Sequence, residues 1–268
     1  MAFEIFALRY FIEFTYNGTA YHGWQKQRNV PSVQQTLEEA LTMLLRETIE
    51  TTGAGRTDTG VHASQAFAHF DCSGIPDVRD LAHRLNSCLP KDIAVQAIIP
   101  LHADAHARFD AKKRTYHYHI HQFKDVFAGK LSWEFAQQLD VDKMNEAAQV
   151  LFNYDDFQCF SKVDTDVHSF ICHIYEAEWT QGQNRLMFTI SADRFLRNMV
   201  RAIVGTLIDV GRNRISVSGF EAIIKSKDRT RAGFSVPAHG LYLQKIEYDY
   251  IDSRSPDRGG ILLQSAAE

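Results

Sequence analysis

The sequence predicts an α+β fold with a mainly antiparallel sheet and helices on one of its sides. Three observations carry that expectation. Segments in which apolar and polar residues alternate are interleaved with segments whose apolar residues recur every three to four positions. Short polar hairpins such as Gln181-Gly182-Gln183 join successive strands directly. The second half also repeats the style of the first, although no repeat is visible in the letters themselves.

Residues 8–16, LRYFIEFTY, are aromatic and β-branched enough for a strand, and Asn17-Gly18 supplies the turn after it. Pro31-Ser32 opens a helix. In VQQTLEEALTMLL the residues Val33, Leu37, Leu41, Leu44 and Leu45 recur at helical spacing, with Gln34, Glu38 and Glu39 outward. Residues 64–71 alternate Ala66, Ala68 and Phe70 against Gln65, Phe67 and His69 and read as a strand. A helix near 77–88 and a strand over 92–99 follow. Past a division near residues 105–112, the spacing predicts a strand over 114–122, a helix over 140–151 and strands near 171–180 and 185–192. Helices over 195–211 and 216–225 and a strand over 241–249 complete the pattern. The division gives an N-terminal unit of residues 1–107 and a second unit of residues 108–250. Residues 251–268 end in SRSPDRGGILLQSAAE, which has turn residues and no period and is expected to be flexible.

With 268 residues, 45% of them hydrophobic and 23% charged, the chain has an ordinary globular composition and can bury a sizeable core. The apolar start, MAFEIFALRYFIEF, is interrupted by Glu4, Arg9 and Glu13 and reads as a strand rather than a signal peptide. No later segment is long enough to span a bilayer. Cys72, Cys88, Cys159 and Cys172 form no C-x-x-C pair, which fits reduced thiols in a cytosolic protein and argues against a structural zinc site. The net charge of −4 weighs against a polyanion partner, but its distribution matters more than its sum. Arg108, Lys112, Lys113 and Arg114 crowd one stretch and Arg194, Arg197, Arg201, Arg212 and Arg214 another, so a local basic groove is compatible with an acidic whole. Two solvated faces would account for the same letters.

Residues 51–63, TTGAGRTDTGVHA, invite several readings. A dinucleotide loop needs G-x-G-x-x-G, and Gly53 and Gly55 are followed only by Gly60; a P-loop needs Lys and Ser or Thr after its last glycine, where Val61 and His62 stand. An aspartic-type hydrolase would use Asp58-Thr59-Gly60, but its chemistry needs two carboxylates sharing a proton and no second triplet occurs. Asp58, after Arg56 and Thr57, is the candidate catalytic carboxylate, because flanking glycines let its backbone approach a flat ligand. An aspartate that merely closes its own loop is the alternative.

In KRTYHYHIH (113–121) Tyr116, Tyr118 and Ile120 share one face of a strand, and His117, His119 and His121 the other. Alternate residues of a straight strand lie about 7 Å apart, so three histidines would need curvature to meet on one ion. Rings beside a basic cluster could instead stack on an unpaired base, or be ordinary core. In RFLRNMVRAIVGTLIDVGR (194–212) Phe195, Met199, Ile203 and Leu207 form an apolar stripe and Arg194, Arg197 and Arg201 a basic edge. Leu196, Val200 and Val204 broaden the apolar side next to Arg201. A partly buried arginine needs an anionic partner.

These stretches, with YNGTAYHGWQKQ, VQQTLEEAL, GAGRTDTGVHASQAFAHF, HARFDAKKRTYHYHI, FLRNMVRAIVGTLIDVG and HGLYLQKIEYD, resemble the TruA-type tRNA pseudouridine synthases over nearly the whole chain. The resemblance implies isomerisation of uridines 38, 39 and 40 in the tRNA anticodon arm, without a nucleotide or other cofactor and away from membranes. It further implies a cytoplasmic homodimer whose two similar subdomains share one continuous sheet around a central RNA-binding cleft. Carried over at matching positions, Asp58 is the essential aspartate, Arg56 assists base flipping, Tyr116 packs under the flipped ring, Arg201 pairs with the aspartate and Leu241 lines the pocket. Arg108, Lys112, Lys113, Arg114 and Arg197 are then the expected RNA contacts. One region departs from the family pattern. FSKVDTDVHSFICHIYEAEW carries Asp164 and Asp166 where a basic stretch is usual, leaving Lys162 and His168 as the candidates for tRNA contact within residues 161–173.

Overall fold

The computed structural model describes residues 7–162 and 169–251. Asp164, Asp166, His168 and the tail after Ile251 lie outside the described residues. The elements run β1 (Leu8–Tyr16), α1 (Val33–Leu45), β2 (Thr52–Gly53), β3 (His62–Cys72), α2 (Val78–Cys88), β4 (Ile93–Leu101), β5 (Lys113–His121) and β6 (Trp133–Glu134). They continue with α3 (Val141–Val150), β7 (Ile174–Gly182), β8 (Arg185–Ala192), α4 (Met199–Gly211), α5 (Val217–Ser226) and β9 (Leu241–Glu247).

Helix starts follow local chemistry. Ser32 accepts a hydrogen bond from the Gln35 amide and caps α1, Asp77 accepts from Arg79 and Asp80 at α2, and Ser216 accepts from Gly219 at α5. The hairpin between β7 and β8 turns at Gln183-Asn184, with Asn184 at φ 56, the left-handed conformation that asparagine tolerates.

Among the described residues the strands form one open, mostly antiparallel sheet in the order β4-β1-β3-β9-β5-β8-β7, with β2 on β3 and β6 on β5. The exceptions to antiparallel pairing position the site. β9, the last strand among the described residues, inserts between the halves and runs parallel to β3 through His62↔Tyr242 and Ala63↔Leu243, while pairing antiparallel with β5. Two hydrophobic cores result. One is built on β1, β3, β4, α1 and α2 and takes in Leu243, Ile246 and Tyr248; the other gathers β5, β7, β8 and α3 to α5 and takes in Val61.

The helix expected over 195–211 begins four residues later, at Met199. Asp193 holds the preceding turn: its carboxylate accepts from the amides of His173 and Arg194. Asn198, at φ 66, breaks the helical path while its side chain donates to Ser235. Arg194 and Arg197 therefore stand on a turn, not on the edge of the Arg201 helix.

Candidate active site

Residues 54–61 begin in one core with Ala54 and end in the other with Val61, so Asp58 stands on the seam between them. The segment YNGTAYHGW fixes this loop. The Tyr16 hydroxyl pairs with Thr57 Oγ1 at 2.8 Å, the Trp24 amide donates to the Thr57 carbonyl, and the Gly60 amide donates to the Tyr21 carbonyl. A Cβ at Gly18 would fall on the Val61 carbonyl, and one at Gly23 on that of Thr57, so two glycines are what let the loop lie this close.

His62 ends the loop. Its Nδ1 accepts from the Gly18 amide at 3.0 Å, which leaves Nε2–H to face the carbonyls of Lys130 at 3.1 Å and His239 at 3.2 Å. Burial lowers its pKa, so the ring is a neutral brace between both halves. Neither the histidine nor the YNGTAYHGW contacts received a role from spacing alone. The available signal was their presence in long, unusually composed motifs.

Opposite the loop, Arg201 on the first turns of α4 donates Nη1 to Asp58 Oδ2 at 3.2 Å and Nε to the Val236 carbonyl at 2.7 Å. Its side chain is 20% exposed and that of Asp58 27%, so the pair is largely shielded from water. Arg197, on the turn before α4, brings Nε to 3.8 Å from Asp58 Oδ1. The carboxylate thus faces two guanidinium groups from one segment, a consequence of the late helix start.

Tyr116 packs against both cores, edge-on to Phe195 at 5.1 Å. Burial, aided by the Asp58 charge and opposed by Arg114, pushes its hydroxyl up to about 12, so the phenol stays neutral at physiological pH. Tyr118, its neighbour on the same face, is fully buried core and donates to the Pro237 carbonyl. Leu241 opens β9 opposite Tyr118 and is buried in the same core as Val61. Arg56 is exposed at the tip of the loop.

The basic cluster of 108–114 divides. Arg108 and Lys112 are exposed, the latter paired at 3.2 Å with Asp249, and Lys113 is half-buried. Arg114, expected among the RNA contacts, turns inward instead. Its guanidinium donates to four backbone carbonyls, those of Ala54, Arg108, Ala111 and Asp193. It ties the start of the Asp58 loop to the turn that carries Arg197. Of the three strand histidines, His117 and His119 meet edge-on at 6.0 Å and His121 engages Ser132. Among the described residues no three His, Cys, Asp or Glu side chains converge as metal ligands.

Asp58 is thus paired at the seam with Arg201 and approached by Arg197, with Tyr116 packed against both cores and Arg56 exposed on the same loop, an arrangement centred on one carboxylate. The family profile described as tRNA pseudouridine synthase matches residues 14–110 and 147–249. The chain is 53% identical over 241 residues to tRNA pseudouridine synthase A of Parabacteroides distasonis, covering 90% of this chain and 96% of that protein. It is 51% identical over 244 residues to the enzyme of the same name from Porphyromonas gingivalis, covering 90% and 97%. With that of Bacillus subtilis it shares 39% over 240 residues, 88% and 97% of the two chains. The chain belongs to the tRNA pseudouridine synthase family.

Proposed function

We propose that this protein converts uridine to pseudouridine at positions 38, 39 and 40 of the tRNA anticodon arm, with Asp58 as the essential carboxylate. The observation that carries the reading is the shielded Asp58–Arg201 pair at 3.2 Å, at the seam between two cores of a family member. The reaction breaks the N1–C1′ bond, turns the uracil, forms C5–C1′, releases the C5 proton and returns a proton to N1. An ionised carboxylate serves as nucleophile, or as base on a glycal route. A second carboxylate, as an aspartic-type hydrolase needs, is replaced beside Asp58 by guanidinium groups.

Each remaining residue has a part. Arg201 and Arg197 pair with the carboxylate and aim it, and Arg197, 58% exposed, has reach left for a phosphate. Arg56 enters the RNA helix and fills the space of the extruded base, an extrusion that costs about a few kcal/mol. Tyr116 packs under the detached ring, which must be held while it turns, and Leu241 closes the pocket. Arg108, Lys112, Lys113 and Arg197 contact phosphates; Arg114 acts from within. The units 1–107 and 108–250 form the two walls. The protein works as a cytoplasmic homodimer without a cofactor, metal or membrane.

The test uses unmodified tRNA tritiated at uridine C5. Wild-type protein releases label, and Asp58→Asn, nearly the same size but uncharged, binds tRNA with turnover reduced at least a thousandfold, on the order of 4 kcal/mol of barrier. Residual turnover within tenfold of wild type removes Asp58 from the mechanism.

A further inference from the structure

One exposed ring near the Asp58 loop has no part in the chemistry above. Phe109 is 73% exposed, yet one face of its ring is backed by the protein. It lies on His106, with ring centroids 4.2 Å apart and planes 30° from parallel. His106 in turn meets the buried His69 edge-on at 4.6 Å. The loop beneath is locked. His106 Nδ1 accepts from the amides of both Arg108 and Phe109, the Asp110 carboxylate accepts from the His106 amide, and the Asp110 amide returns to the His106 carbonyl. The Ala107 amide donates to His69 Nδ1, and the Tyr250 hydroxyl donates to Asp110. Every amide from Ala105 to Asp110 is thereby satisfied within the protein. Such a loop keeps its shape with or without a ligand.

A lone exposed phenylalanine needs no explanation. This one has cationic neighbours and a fixed place. The Arg108 guanidinium stands 5.7 Å from the ring centroid, beyond stacking contact, and Lys112 is exposed nearby in sequence. The Arg108 carbonyl and the Ala54 carbonyl are both bonded by Arg114 Nη2, at 2.8 and 3.2 Å, so they lie within about 6 Å of each other. The platform is therefore anchored beside the start of the Asp58 loop. An aromatic face flanked by cations matches an unpaired nucleobase with its phosphate: the base stacks and the guanidinium follows the backbone.

We propose that Phe109, backed by His106 and flanked by Arg108, is a second stacking platform that holds an unpaired nucleotide of the RNA substrate other than the one being isomerised. The proposal rests on the function assigned above. Arg108 moves outward by about an ångström or two to admit a base, since a sandwiched base needs roughly twice the stacking separation of about 3.5 Å.

The test measures tRNA affinity across a salt series together with C5 label release. Phe109→Ala weakens binding roughly 5- to 150-fold, the range expected for one lost base stack. The loss appears in Kd and KM rather than in kcat, and the slope of log K against log salt is retained. Phe109→Trp restores affinity. Arg108→Ala lowers the slope by about 0.7 to 0.9, as one phosphate contact requires. Phe152→Ala, which removes an exposed ring outside this loop, serves as the control and leaves all three quantities in place. Unchanged affinity in Phe109→Ala beside an active wild type overturns the platform alone. Loss of affinity that tracks dissociation of an oligomer, read by light scattering, also overturns it and assigns the ring to a protein interface. A wild type that binds tRNA in a Phe109-dependent way but releases no label keeps the platform and overturns the proposed function.

Discussion

Arg114 on β5 and Arg201 on α4 use their donors in different ways. Arg201 gives one nitrogen to Asp58 and another to a carbonyl, so its charge is aimed by a backbone anchor. Arg114 spends its donors on carbonyls alone, and burial draws its pKa below the usual guanidinium value. Its charge is compensated by peptide dipoles, which lysine, a compact point charge with fewer and differently directed donors, cannot reproduce. Arg114→Lys is therefore expected to lower stability by about 2–4 kcal/mol in urea unfolding and to reduce kcat. The salt slope of tRNA binding stays as in wild type, because no phosphate contact is removed. A slope reduced by one contact with stability intact would return Arg114 to the RNA surface. The apolar residues around Arg201 in its helix call for an anionic partner, which Asp58 supplies, whereas nothing local distinguishes Arg114 from the cations beside it, and only the three-dimensional position of Ala54 and Asp193 reveals that it turns inward. The glycine-flanked loop of Asp58 excludes the competing phosphate-binding readings on composition alone.

At the scale of elements, periodicity located the long strands and helices to within a few residues, since each has one buried face whose pattern is local. β1 and α1 coincide with the expected spans, and β8 does as well. The two-residue strands β2 and β6 are too short for a period, and the start of α4 was misplaced because Phe195 and Leu196 continue the apolar stripe through a turn that Asn198 and Asp193 impose. These irregular pieces build the site. The segment after β1 shows why they are hard to infer: its glycines matter for what passes beside them. Gly23 lies at φ 84, and a Cβ there would meet the Thr57 carbonyl, one residue before Asp58. Gly23→Ala combines an unfavourable backbone conformation with a displaced loop. The expected result is a loss of about 2 kcal/mol or more in denaturant unfolding and a larger fractional loss in kcat than in tRNA affinity. Equal turnover in this variant would mean that the loop tolerates movement and that Asp58 is positioned from the Arg201 side alone.

Over the whole molecule, β9 makes the halves interdependent, because its residues enter both cores and it is the strand that joins β3 to β5. Local strain in either half is thereby expected to register in one shared unfolding transition. Two histidines, one in each half, report on it. Burial drives the pKa of His69 down to about 4, with the Arg9 and His106 charges adding to the effect and Asp71 and Asp110 opposing it. His119 is likewise lowered to about 4 by burial, then by His117, Arg185 and His62. An unfolded histidine titrates near pH 6.5. Between that value and about 4 the unfolded chain holds more protons than the folded one, so stability falls as the pH falls. The contribution is fully present above about 6.5 and is lost by the time the pH has dropped through about 4, a change on the order of a few kcal/mol for the pair. The carboxylates with lowered pKa, Asp71, Asp110 and Asp156 among them, add the same sign, but only once the pH nears the unfolded carboxylate range of about 4. Urea unfolding at pH 7.5, 6, 5 and 4.5 separates the two sources. A single transition is expected whose midpoint changes little above about pH 6.5 and declines below it, and His69→Gln, which cannot titrate, flattens the decline at the cost of some stability at pH 7.5. A wild-type midpoint that holds constant from pH 6.5 to 4.5 would mean that neither ring is held neutral by the fold. Two resolved transitions would mean that β9 does not bind the halves into one cooperative unit.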